Sequence, residues 1–258
     1  MIYITGMSGF VGQHLAARLG KSKVIGIPHD KLSTFKLKDP TEVYFLSTYG
    51  NLFSHTDTDK IIKANTLDLI NIVRQVVGTN IKSFVFFSTS SVKLPTQTTY
   101  SRSKRSAEEI LLAYMEKYKL PICIVRPFSI TGVGEHKEHL IPTLIKSCLT
   151  GKLVNFVPGP SHDYIDIADV IEGVMALSSR GVRGIFELGT GRSYTNQEVL
   201  DIVEEETGKK ANINIVNQMR NYDYDNWVSN NYKARGYGWL PKVELRTSIR
   251  NIIAYDFI

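Results

Sequence analysis

The chain opens with a strand, a glycine-rich turn and a helix, and this unit limits the possible folds more than any other stretch. Residues 1–5 alternate β-branched and aromatic side chains, which is typical of a strand, and a helical pattern follows the turn. Gly6 would allow a tight bend, Gly9 would let the backbone reach a pyrophosphate, and Gly12 would let the helix pack on the strand. Free N–H groups at the helix N-terminus would favour phosphates. We therefore expect a dinucleotide-binding unit; the alternative is a glycine-rich turn in another α/β protein.

A tyrosine and a lysine four residues apart indicate a possible catalytic pair. Tyr100 and Lys104 would share one face of a helix. A free tyrosine titrates near pH ~10, and a lysine cation one turn away would lower that pKa, as would the positive end of the helix. Such a phenol can exchange a proton with a sugar or alcohol hydroxyl while a hydride moves elsewhere. The same spacing also occurs by chance on exposed helices, so its meaning depends on neighbouring motifs.

The stretch from Ile81 to Val92 predicts a buried strand that ends in hydroxyl groups. Its apolar run is typical of a parallel strand, and open α/β sheets bind ligands at the carboxyl ends of such strands. One of the hydroxyls at residues 88–91 could therefore hydrogen-bond a reacting oxygen beside Tyr100. At least two of them could instead cap the following turn.

Together these features resemble the extended short-chain dehydrogenase/reductase family, which contains nucleotide-sugar epimerases, dehydratases and ketoreductases. The resemblance covers nearly the whole chain and rests on seven motifs in the family's order. They are TGMSGFVG at 5–12, VYFLST at 43–48, ANTLDLI at 64–70, YSRSK at 100–104, RPFSITG at 126–132, HDYIDIADV at 162–170 and FELGTG at 186–191.

The resemblance implies an α/β fold, a Rossmann-type doubly wound parallel sheet with a small C-terminal α/β substrate-binding lobe. The dinucleotide-binding domain would comprise residues 1–128, completed by 164–185, and the substrate-binding lobe 129–163 and 186–258. Only Asp30 to Thr41 separates the second strand from the strand that begins near Val43. A full crossover helix and another strand would barely fit there, so the adenine side of the sheet should be abbreviated.

The resemblance also implies the catalytic and cofactor-binding residues. Thr89 takes the place of the family's catalytic serine or threonine beside Tyr100 and Lys104, with Ser90 as the fallback. Lys104 would also contact the nicotinamide ribose of NAD or NADP. The residues implied in cofactor binding are Gly6, Ser8, Gly9, Phe10, Val11, Gly12, Leu46, Ser47, Asn65, Tyr100 and Lys104.

The end of the second predicted strand bears on the choice between NAD and NADP. Pro28 stands where NAD-preferring members carry an acid for the ribose hydroxyls. Without that acid, Lys31 or Arg18 could attract a 2′-phosphate, which slightly favours NADP. Asp30 could still turn back to serve NAD.

The implied substrate is a nucleoside-diphosphate sugar. Arg220 has the spacing of the family's diphosphate-clamping arginine, and a bidentate guanidinium suits a diphosphate; a plain surface charge is the alternative. His139 stands at a nucleotide-contact position usually held by asparagine. Two further positions depart from the family, since His162 replaces an arginine and Ser129 an asparagine. The residues implied in substrate binding are Thr89, Ser90, Ser129, His139, His162 and Arg220.

The residues after Thr89 bear on the reaction. Ser90 and Ser91 stand where 4,6-dehydratases carry the Asp-Glu pair that eliminates water, so a dehydratase is disfavoured. Reduction of a keto-sugar is preferred, and epimerisation through a transient ketone on tightly bound NAD is the alternative. A non-catalytic NAD(P)-binding regulatory protein is a further alternative, which the intact catalytic residues argue against. The glycine spacing disfavours a short-chain reductase of small alcohols or ketones.

The composition narrows the remaining classes. A net charge of +6 and a pI near 9.1 suit phosphorylated ligands, but the cations form no stripe, so nucleic-acid binding is disfavoured. We expect no membrane span or signal peptide, because no apolar run approaches ~18 residues. Cys123 and Cys148 are predicted to be small buried residues in a reducing cytoplasm. The irregular spacing of His136, His139 and His162 argues against a metal site.

Two predicted helices carry more apolar residues than one core-facing stripe requires. They lie near residues 66–77 and 100–118, and the second includes Ile110, Leu112 and Met115. In the resembling family these helices pair across a two-fold axis, and such an isologous contact closes by symmetry. A homodimer is therefore expected; the alternative is that these side chains only cover the sheet.

Overall fold

The computed structural model describes residues 1–52, 54–216 and 227–257, and the chain divides into two compact units. The first unit comprises residues 1–127, 171–187 and 233–239. The second comprises residues 128–170, 188–232 and 240–258. Neither unit is one continuous segment of chain.

The regular elements alternate between strand and helix through the first half of the chain. The described strands are β1 (Ile2–Thr5), β2 (Val24–Ile27), β3 (Glu42–Phe45), β4 (Ser83–Phe87), β5 (Ile122–Pro127), β6 (Ser129–Thr131), β7 (Val154–Phe156), β8 (Ser161–His162), β9 (Tyr164–Asp166), β10 (Gly184–Leu188), β11 (Tyr194–Thr195) and β12 (Ile213–Ile215). The described α-helices are α1 (Phe10–Leu19), α2 (Thr58–Ile62), α3 (Asp68–Val73), α4 (Thr99–Tyr118), α5 (Leu140–Thr150), α6 (Ile167–Ser178), α7 (Asn196–Thr207), α8 (Tyr232–Arg235) and α9 (Leu245–Asp256).

The main sheet confirms the predicted doubly wound parallel arrangement. Its described strands lie in the order β10-β5-β4-β3-β1-β2. β1 pairs in parallel with β2 on one side and β3 on the other, and the β3–β4 and β4–β5 pairs are also parallel. Because the chain returns from β2 across β1 to β3, the strand order reverses between β1 and β3. Ligands bind outside the carboxyl ends of strands at such a reversal.

The interior strands are buried on both faces, which explains their continuous apolar sequences. All five residues of β4 are buried, and so are the last three of β3. Phe45 and Phe86 belong to one core cluster with Leu111 of α4 and Ile72 of α3. Fully burying each such side chain contributes about 1.5–3 kcal/mol. The core thus holds β3, β4 and the two helices together, and the carboxyl ends of the two strands carry the candidate site.

The expected abbreviation between β2 and β3 is confirmed. Residues 28–41, all of which are described, contain one 3₁₀ turn, His29–Lys31, and no strand. Leu32 is fully buried in the core cluster. Gln75 ties down the rest of the segment, accepting from the N–H of Leu37 and donating to the carbonyl of Phe35, both at 3.0 Å. Packing on the core therefore replaces the missing strand and crossover helix.

The second unit has its own core and several short strand pairs. β6 pairs with β9 and β7 with β12 in parallel, whereas β8 and β11 are antiparallel. Helices α5, α7 and α9 contribute most of a core cluster that includes Leu144, Val203 and Ile249. The Asp163 carboxylate, almost fully buried, accepts backbone N–H bonds from Thr190, Gly191 and Ser229 at 2.8–3.0 Å. One carboxylate thereby joins two loops of this unit.

Both cysteines are buried free thiols, as expected. Cys123 lies in β5 and Cys148 in α5. Burial raises the pKa of the Cys123 thiol to about 12, which keeps it protonated and unreactive.

Candidate functional site

The glycine turn between β1 and α1 has the geometry that its sequence predicts. Gly6 has a φ of +67°, and a Cβ added there would lie 3.0 Å from the Ser47 backbone nitrogen. A Cβ at Gly12 would lie only 2.1 Å from the Gly6 carbonyl oxygen. At Gly9, by contrast, an added Cβ would meet only the Gly6 oxygen, at 3.4 Å. The first and third glycines are therefore required by the fold of the turn, whereas the second faces open space.

The same turn fits the phosphates of a dinucleotide. α1 starts directly after Gly9, and no side chain caps its N-terminus. The uncapped N–H groups of its first turn carry partial positive charge. The end of β1 is tied to the end of β3, because the Thr5 hydroxyl accepts the N–H groups of Leu46 and Ser47 at 3.0 and 2.9 Å. The turn that is predicted to bind phosphates is thus held in place at the strand-order reversal.

Two buried hydroxyls at neighbouring strand ends lack protein partners within the described chain. They are the side chains of Ser47, after β3, and Ser88, after β4. Buried polar groups in folded proteins are nearly always hydrogen-bonded, so unpartnered ones call for a partner from outside the protein. Together with the open face at Gly9, they show that the residues present suit a dinucleotide cofactor.

Tyr100, Lys104 and Thr89 lie together at the carboxyl end of β4. Tyr100 is in the first turn of α4, which Thr98 caps by accepting the N–H of Ser101 at 3.2 Å. The side chains of Thr89 and Thr48 lie near the phenol, and each lowers its pKa. The Lys104 ammonium donates to the Phe87 carbonyl at 2.8 Å. The structure therefore brings together the three residues predicted to be catalytic and adds Thr48 to them.

Desolvation is the largest cause of the pKa shifts of both Tyr100 and Lys104. It raises the pKa of Tyr100 above its usual value and lowers that of Lys104 to about 7, with Glu108 opposing the second shift. The expectation that Lys104 lowers the tyrosine pKa is therefore not met here, because desolvation of a buried phenol outweighs a lysine that is itself partly neutral. The Glu108 carboxylate also forms an ion pair with Arg126, which donates to its Oε1 at 2.9 Å. At neutral pH, the phenol of Tyr100 is therefore protonated.

Asn65 lies at the centre of a hydrogen-bond cluster beside Tyr100. Its Oδ1 accepts from the Thr48 hydroxyl at 2.9 Å and the Tyr49 N–H at 3.1 Å. Its Nδ2 donates to the Tyr49 carbonyl at 2.8 Å and the Ser103 hydroxyl at 2.9 Å. Ser103 in turn donates to the Tyr100 carbonyl at 2.7 Å. Since a primary amide makes about four hydrogen bonds, this side chain is fully used by protein groups.

A π-helical turn places Asn65 in this cluster. The turn spans Lys63–Leu67 between α2 and α3, and its wider pitch is bridged by Lys63, whose ammonium contacts both oxygens of buried Asp68 at 2.9 and 3.0 Å. Single π turns inside α-helices frequently occur at functional sites. The turn lets Asn65 point at the strand ends while α3 keeps its apolar face on the sheet.

Sequence reasoning missed Thr48 and Ser103. Thr48 ends the polar pair after β3, which is the same signal that drew attention to the hydroxyls after β4. Ser103 lies one turn after Tyr100 within YSRSK. A search for hydroxyls at both strand ends beside the reversal would have found Thr48.

The other predicted cofactor residues lie where expected. Ser8 is in the glycine turn, Phe10 and Val11 are in the first turn of α1, and Leu46 follows β3. Ser90 is buried in the 3₁₀ turn Ser90–Lys93, which Thr89 caps by accepting the Ser91 N–H at 3.2 Å. Thr89 thus combines a capping bond with its contact to Tyr100.

The remaining predicted substrate residues belong to the second unit. Ser129 starts β6, and His162 ends β8 with its ring 5.5 Å from that of Trp227. His139 directly precedes α5 without capping it through its side chain, and its Nδ1 lies 3.0 Å from Oε1 of the buried Glu135. Arg220 lies outside the described residues, so its predicted role stays a prediction.

Within the described ranges, no group of three or more histidine, cysteine or acidic residues could hold a metal ion. None of the helices described is long and apolar enough to cross a membrane.

A family model described as "NAD dependent epimerase/dehydratase family" matches residues 2–189. Among curated proteins, the human dTDP-D-glucose 4,6-dehydratase is 26% identical over 66% of this chain, and the chain covers about half of its length (51%). The GDP-6-deoxy-D-mannose reductase of Pseudomonas aeruginosa is 22% identical over 98% of this chain and 96% of that protein.

Solved structures show the same fold. MoeE5 in complex with UDP-glucose and NAD has a TM-score of 0.90 at 22% identity, covering 99% of this chain and 98% of that one. RMD from Pseudomonas aeruginosa complexed with NADPH has a TM-score of 0.83 at 20% identity, covering 98% and 97%.

Proposed function

The chain belongs to the NAD dependent epimerase/dehydratase family, and from this premise we propose that it is an NAD(P)-dependent reductase of a nucleoside-diphosphate keto-sugar. The family contains NAD-dependent enzymes that act on nucleotide sugars, and the chain is an enzyme of this class. One observation carries the finer proposal. Desolvation raises the pKa of the half-buried Tyr100 beside Thr89 and so favours its protonated form, which is the form needed to protonate a ketone oxygen during reduction.

The proposed reaction needs few groups from the protein. When bound, a nicotinamide cofactor supplies the hydride that reduces the carbonyl carbon of the substrate. Tyr100 then gives its phenol proton to the carbonyl oxygen, and Thr89 orients that oxygen by hydrogen bonding. Lys104 would stabilise the phenolate that remains and would contact the nicotinamide ribose when the cofactor is bound. Because the pKa of Lys104 is about 7, it can take up a proton as negative charge develops on Tyr100.

Elimination of water does not suit these residues. A dehydratase needs an acid and a base next to the substrate in addition to the tyrosine. Ser90 and Ser91 follow Thr89, and neither can supply a carboxylate. The similarity to a dehydratase covers about half of that protein's length.

An epimerase with tightly bound NAD is the second candidate, because the same tyrosine and lysine could serve oxidation followed by reduction. A regulatory protein that binds NAD(P) without turnover is the third. The three differ in cofactor exchange: a reductase exchanges NAD(P)H freely, whereas an epimerase retains NAD through purification.

Of the two nicotinamide cofactors, we propose NADP with a slight preference over NAD. Pro28 follows β2 in place of an acid, which reduces repulsion of a 2′-phosphate. Two cations considered for attracting that phosphate have carboxylate partners: Arg18 binds Glu172 at 2.6 Å, and Lys31 lies 3.8 Å from Asp30. All four side chains are at least half exposed, so these pairs can exchange for a phosphate at small cost.

The proposal assigns cofactor binding to residues 1–128 and 164–185 and nucleotide-sugar binding to 129–163 and 186–258. It also includes a cytoplasmic homodimer. Leu112, Tyr114 and Met115 pack on the core of the first unit, but Ile62 and Leu67 remain exposed in α2 and the π turn. Light scattering that shows a monomer at micromolar concentration would contradict the dimer.

The decisive experiment identifies the nucleotide and the reaction together. Protein purified without added cofactor is denatured, and the released nucleotides are separated and quantified. The same preparation is then assayed for NADPH- and NADH-dependent reduction of nucleoside-diphosphate keto-sugars, with Tyr100→Phe as the inactive control. The reductase proposal predicts little retained cofactor and reduction that depends on Tyr100. If the protein instead retains one NAD per chain and epimerises a UDP- or dTDP-sugar, the epimerase replaces the reductase as the proposed function.

The diphosphate clamp has its own test. If Arg220 holds the diphosphate, Arg220→Ala should weaken binding of the matching nucleoside diphosphate ten- to a hundredfold, because a charge-assisted hydrogen bond contributes about 1.5–3 kcal/mol. Calorimetry with UDP, dTDP, GDP and CDP measures this, and Arg192→Ala in the same unit is the matched control. Equal affinities in wild type and Arg220→Ala would show that Arg220 does not clamp the diphosphate. That result would not bear on the proposed reductase chemistry.

A further inference from the structure

The connection between Thr89 and Tyr100 joins two groups of the candidate site. Thr89 follows β4 and caps the 3₁₀ turn Ser90–Lys93 by accepting the Ser91 N–H at 3.2 Å. Tyr100 lies in the first turn of α4, which Thr98 caps. The two residues proposed to act on the substrate oxygen therefore stand at opposite ends of one short connection, residues 90–99. Their relative placement depends on how this connection is held.

The side chain of Gln97 holds this connection from within. Its Nε2 donates to the carbonyl oxygens of Ser91 at 3.3 Å and Val92 at 3.2 Å, and also to that of Leu94. A primary amide carries two N–H hydrogens, so the three carbonyls share them. The Ser91 carbonyl also accepts the Leu94 N–H at 3.2 Å. The amide thus ties the residues just before α4 to the turn that follows Thr89.

The orientation of this amide is fixed by its surroundings. Exchanging its oxygen and nitrogen would direct Oε1 of Gln97 at three carbonyl oxygens, none of which can donate. In the present orientation Oε1 is buried and has no partner in the described part of the chain. An unpartnered buried acceptor is unfavourable, and it persists here because the other end of the amide satisfies three carbonyls. The cross-link therefore depends on the N–H groups of Gln97.

We propose that Gln97 is a positioning residue for the reaction, because its cross-link fixes the turn that carries Thr89 relative to the helix that carries Tyr100. Gln97 acts through the backbone of the turn and takes no part in proton transfer. The use of the cross-link in catalysis rests on the proposed reductase function, whereas its existence in the protein does not. Lys93 is the only charged residue of 90–99, and its ammonium lies 2.7 Å from Glu187 of β10.

Three variants separate the N–H groups from the bulk of the side chain. Gln97→Glu keeps the shape, but an ionised carboxylate has no hydrogen to donate and repels the carbonyls, whereas a protonated carboxyl can donate one. Burial beside carbonyl oxygens should raise the pKa of the introduced carboxyl, so lowering the pH from about 8 to 5 should restore part of the cross-link. Gln97→Met has no donor at any pH. Gln75→Met is the matched control, since Gln75 donates to the carbonyls of Phe35 and Asn71 in another part of the protein.

The first measurement needs no substrate. Amide hydrogen exchange of the full-length protein is followed by NMR at pH 5 and 8, and the rates are expressed as protection relative to an unstructured chain. The N–H groups of Ser91 and Leu94 report on the turn, because both are hydrogen-bonded within it. Their protection should fall about tenfold in Gln97→Met at both pH values and in Gln97→Glu at pH 8 only, as expected for the loss of a hydrogen bond. It should be unchanged in Gln75→Met.

The second measurement is the kcat of Gln97→Glu divided by that of the wild type at the same pH, on whichever reaction the wild type catalyses. This ratio should be about 0.1 or lower at pH 8 and should rise severalfold at pH 5, with the Kd of the cofactor unchanged. Gln97→Glu at pH 5 also serves should Gln97→Met not fold.

Each outcome decides one part of the proposal. Wild-type protection in both Gln97 variants at pH 8 would overturn the cross-link. A kcat ratio that is independent of pH, while protection recovers at pH 5, would overturn the positioning role. Protection that behaves as expected in a protein whose wild type reduces no keto-sugar but epimerises a nucleotide sugar would reject the reductase, and the kcat ratio for epimerisation would then decide the role of Gln97. A wild type without any turnover would reject both the proposed function and this role in catalysis.

Discussion

The glycine turn and the surroundings of Tyr100 are both parts of the candidate site, yet they are specified in different ways. The turn is a matter of backbone: Gly6 needs a positive φ, and Gly12 leaves no room for a Cβ. The tyrosine depends on side chains from separate segments, since Thr48 follows β3, Thr89 follows β4 and Asn65 lies in the π turn. Changes in the turn should therefore damage folding and cofactor binding, whereas changes around the tyrosine should act chiefly on proton transfer.

The largest expected effect is a loss of turnover in a protein that still folds. Tyr100→Phe should reduce turnover by about 10²–10⁴-fold, because an acid-base group typically contributes that much. The aromatic ring remains, so thermal stability and cofactor affinity should stay close to those of the wild type. Steady-state kinetics on a confirmed substrate, with calorimetry of the cofactor, measures both. A variant that keeps the wild-type rate would show that Tyr100 is not the proton donor.

The turn should respond in the opposite way. An added Cβ at Gly12 would lie 2.1 Å from a backbone oxygen that no rotamer change can move. We expect Gly12→Ala to cost about 3 kcal/mol or more in the free energy of unfolding, or to prevent folding. Gly9→Ala is the matched control, because its Cβ would meet only one atom, at 3.4 Å. It should fold and lose affinity for NAD(P), measured by denaturant unfolding and cofactor titration. Equal stability losses in both variants would contradict this distinction.

A smaller effect should appear in the pH dependence of stability. Burial lowers the pKa of Lys104 to about 7, below the 10.5 of an unperturbed lysine. Between these values the unfolded chain binds more protons than the folded one, so this lysine makes the protein more stable as pH rises. The gain should be absent in Lys104→Met. From pH 7 to 8.5 the stability of the wild type should therefore rise relative to that of the variant by roughly 1–2 kcal/mol. Denaturant unfolding at both pH values tests this, and a constant difference would show that Lys104 is charged in the folded protein.

The sequence predicted the parts of the site that depend on local backbone rules. Gly6, Gly9 and Gly12 stand at positions that a strand-turn-helix unit requires, and Tyr100 and Lys104 follow from helical spacing. It did not predict that burial would raise the pKa of Tyr100, because desolvation depends on every element packed around the phenol. Thr48 was missed for a related reason, since its contact joins residues 52 positions apart and needs the order of the strands.

The π turn makes helix length as important to this site as residue identity. A deletion of one residue within Lys63–Leu67 would remove the bulge and restore an ordinary α-helix, because a π turn accommodates one extra residue. The flanking helices would stay in register, so α3 would keep its apolar face on the sheet, but Asn65 would lose its place beside Thr48. In the descent of such chains, a single lost codon would thus dismantle this hydrogen-bond cluster while Tyr100, Lys104 and Thr89 all remain encoded in the gene.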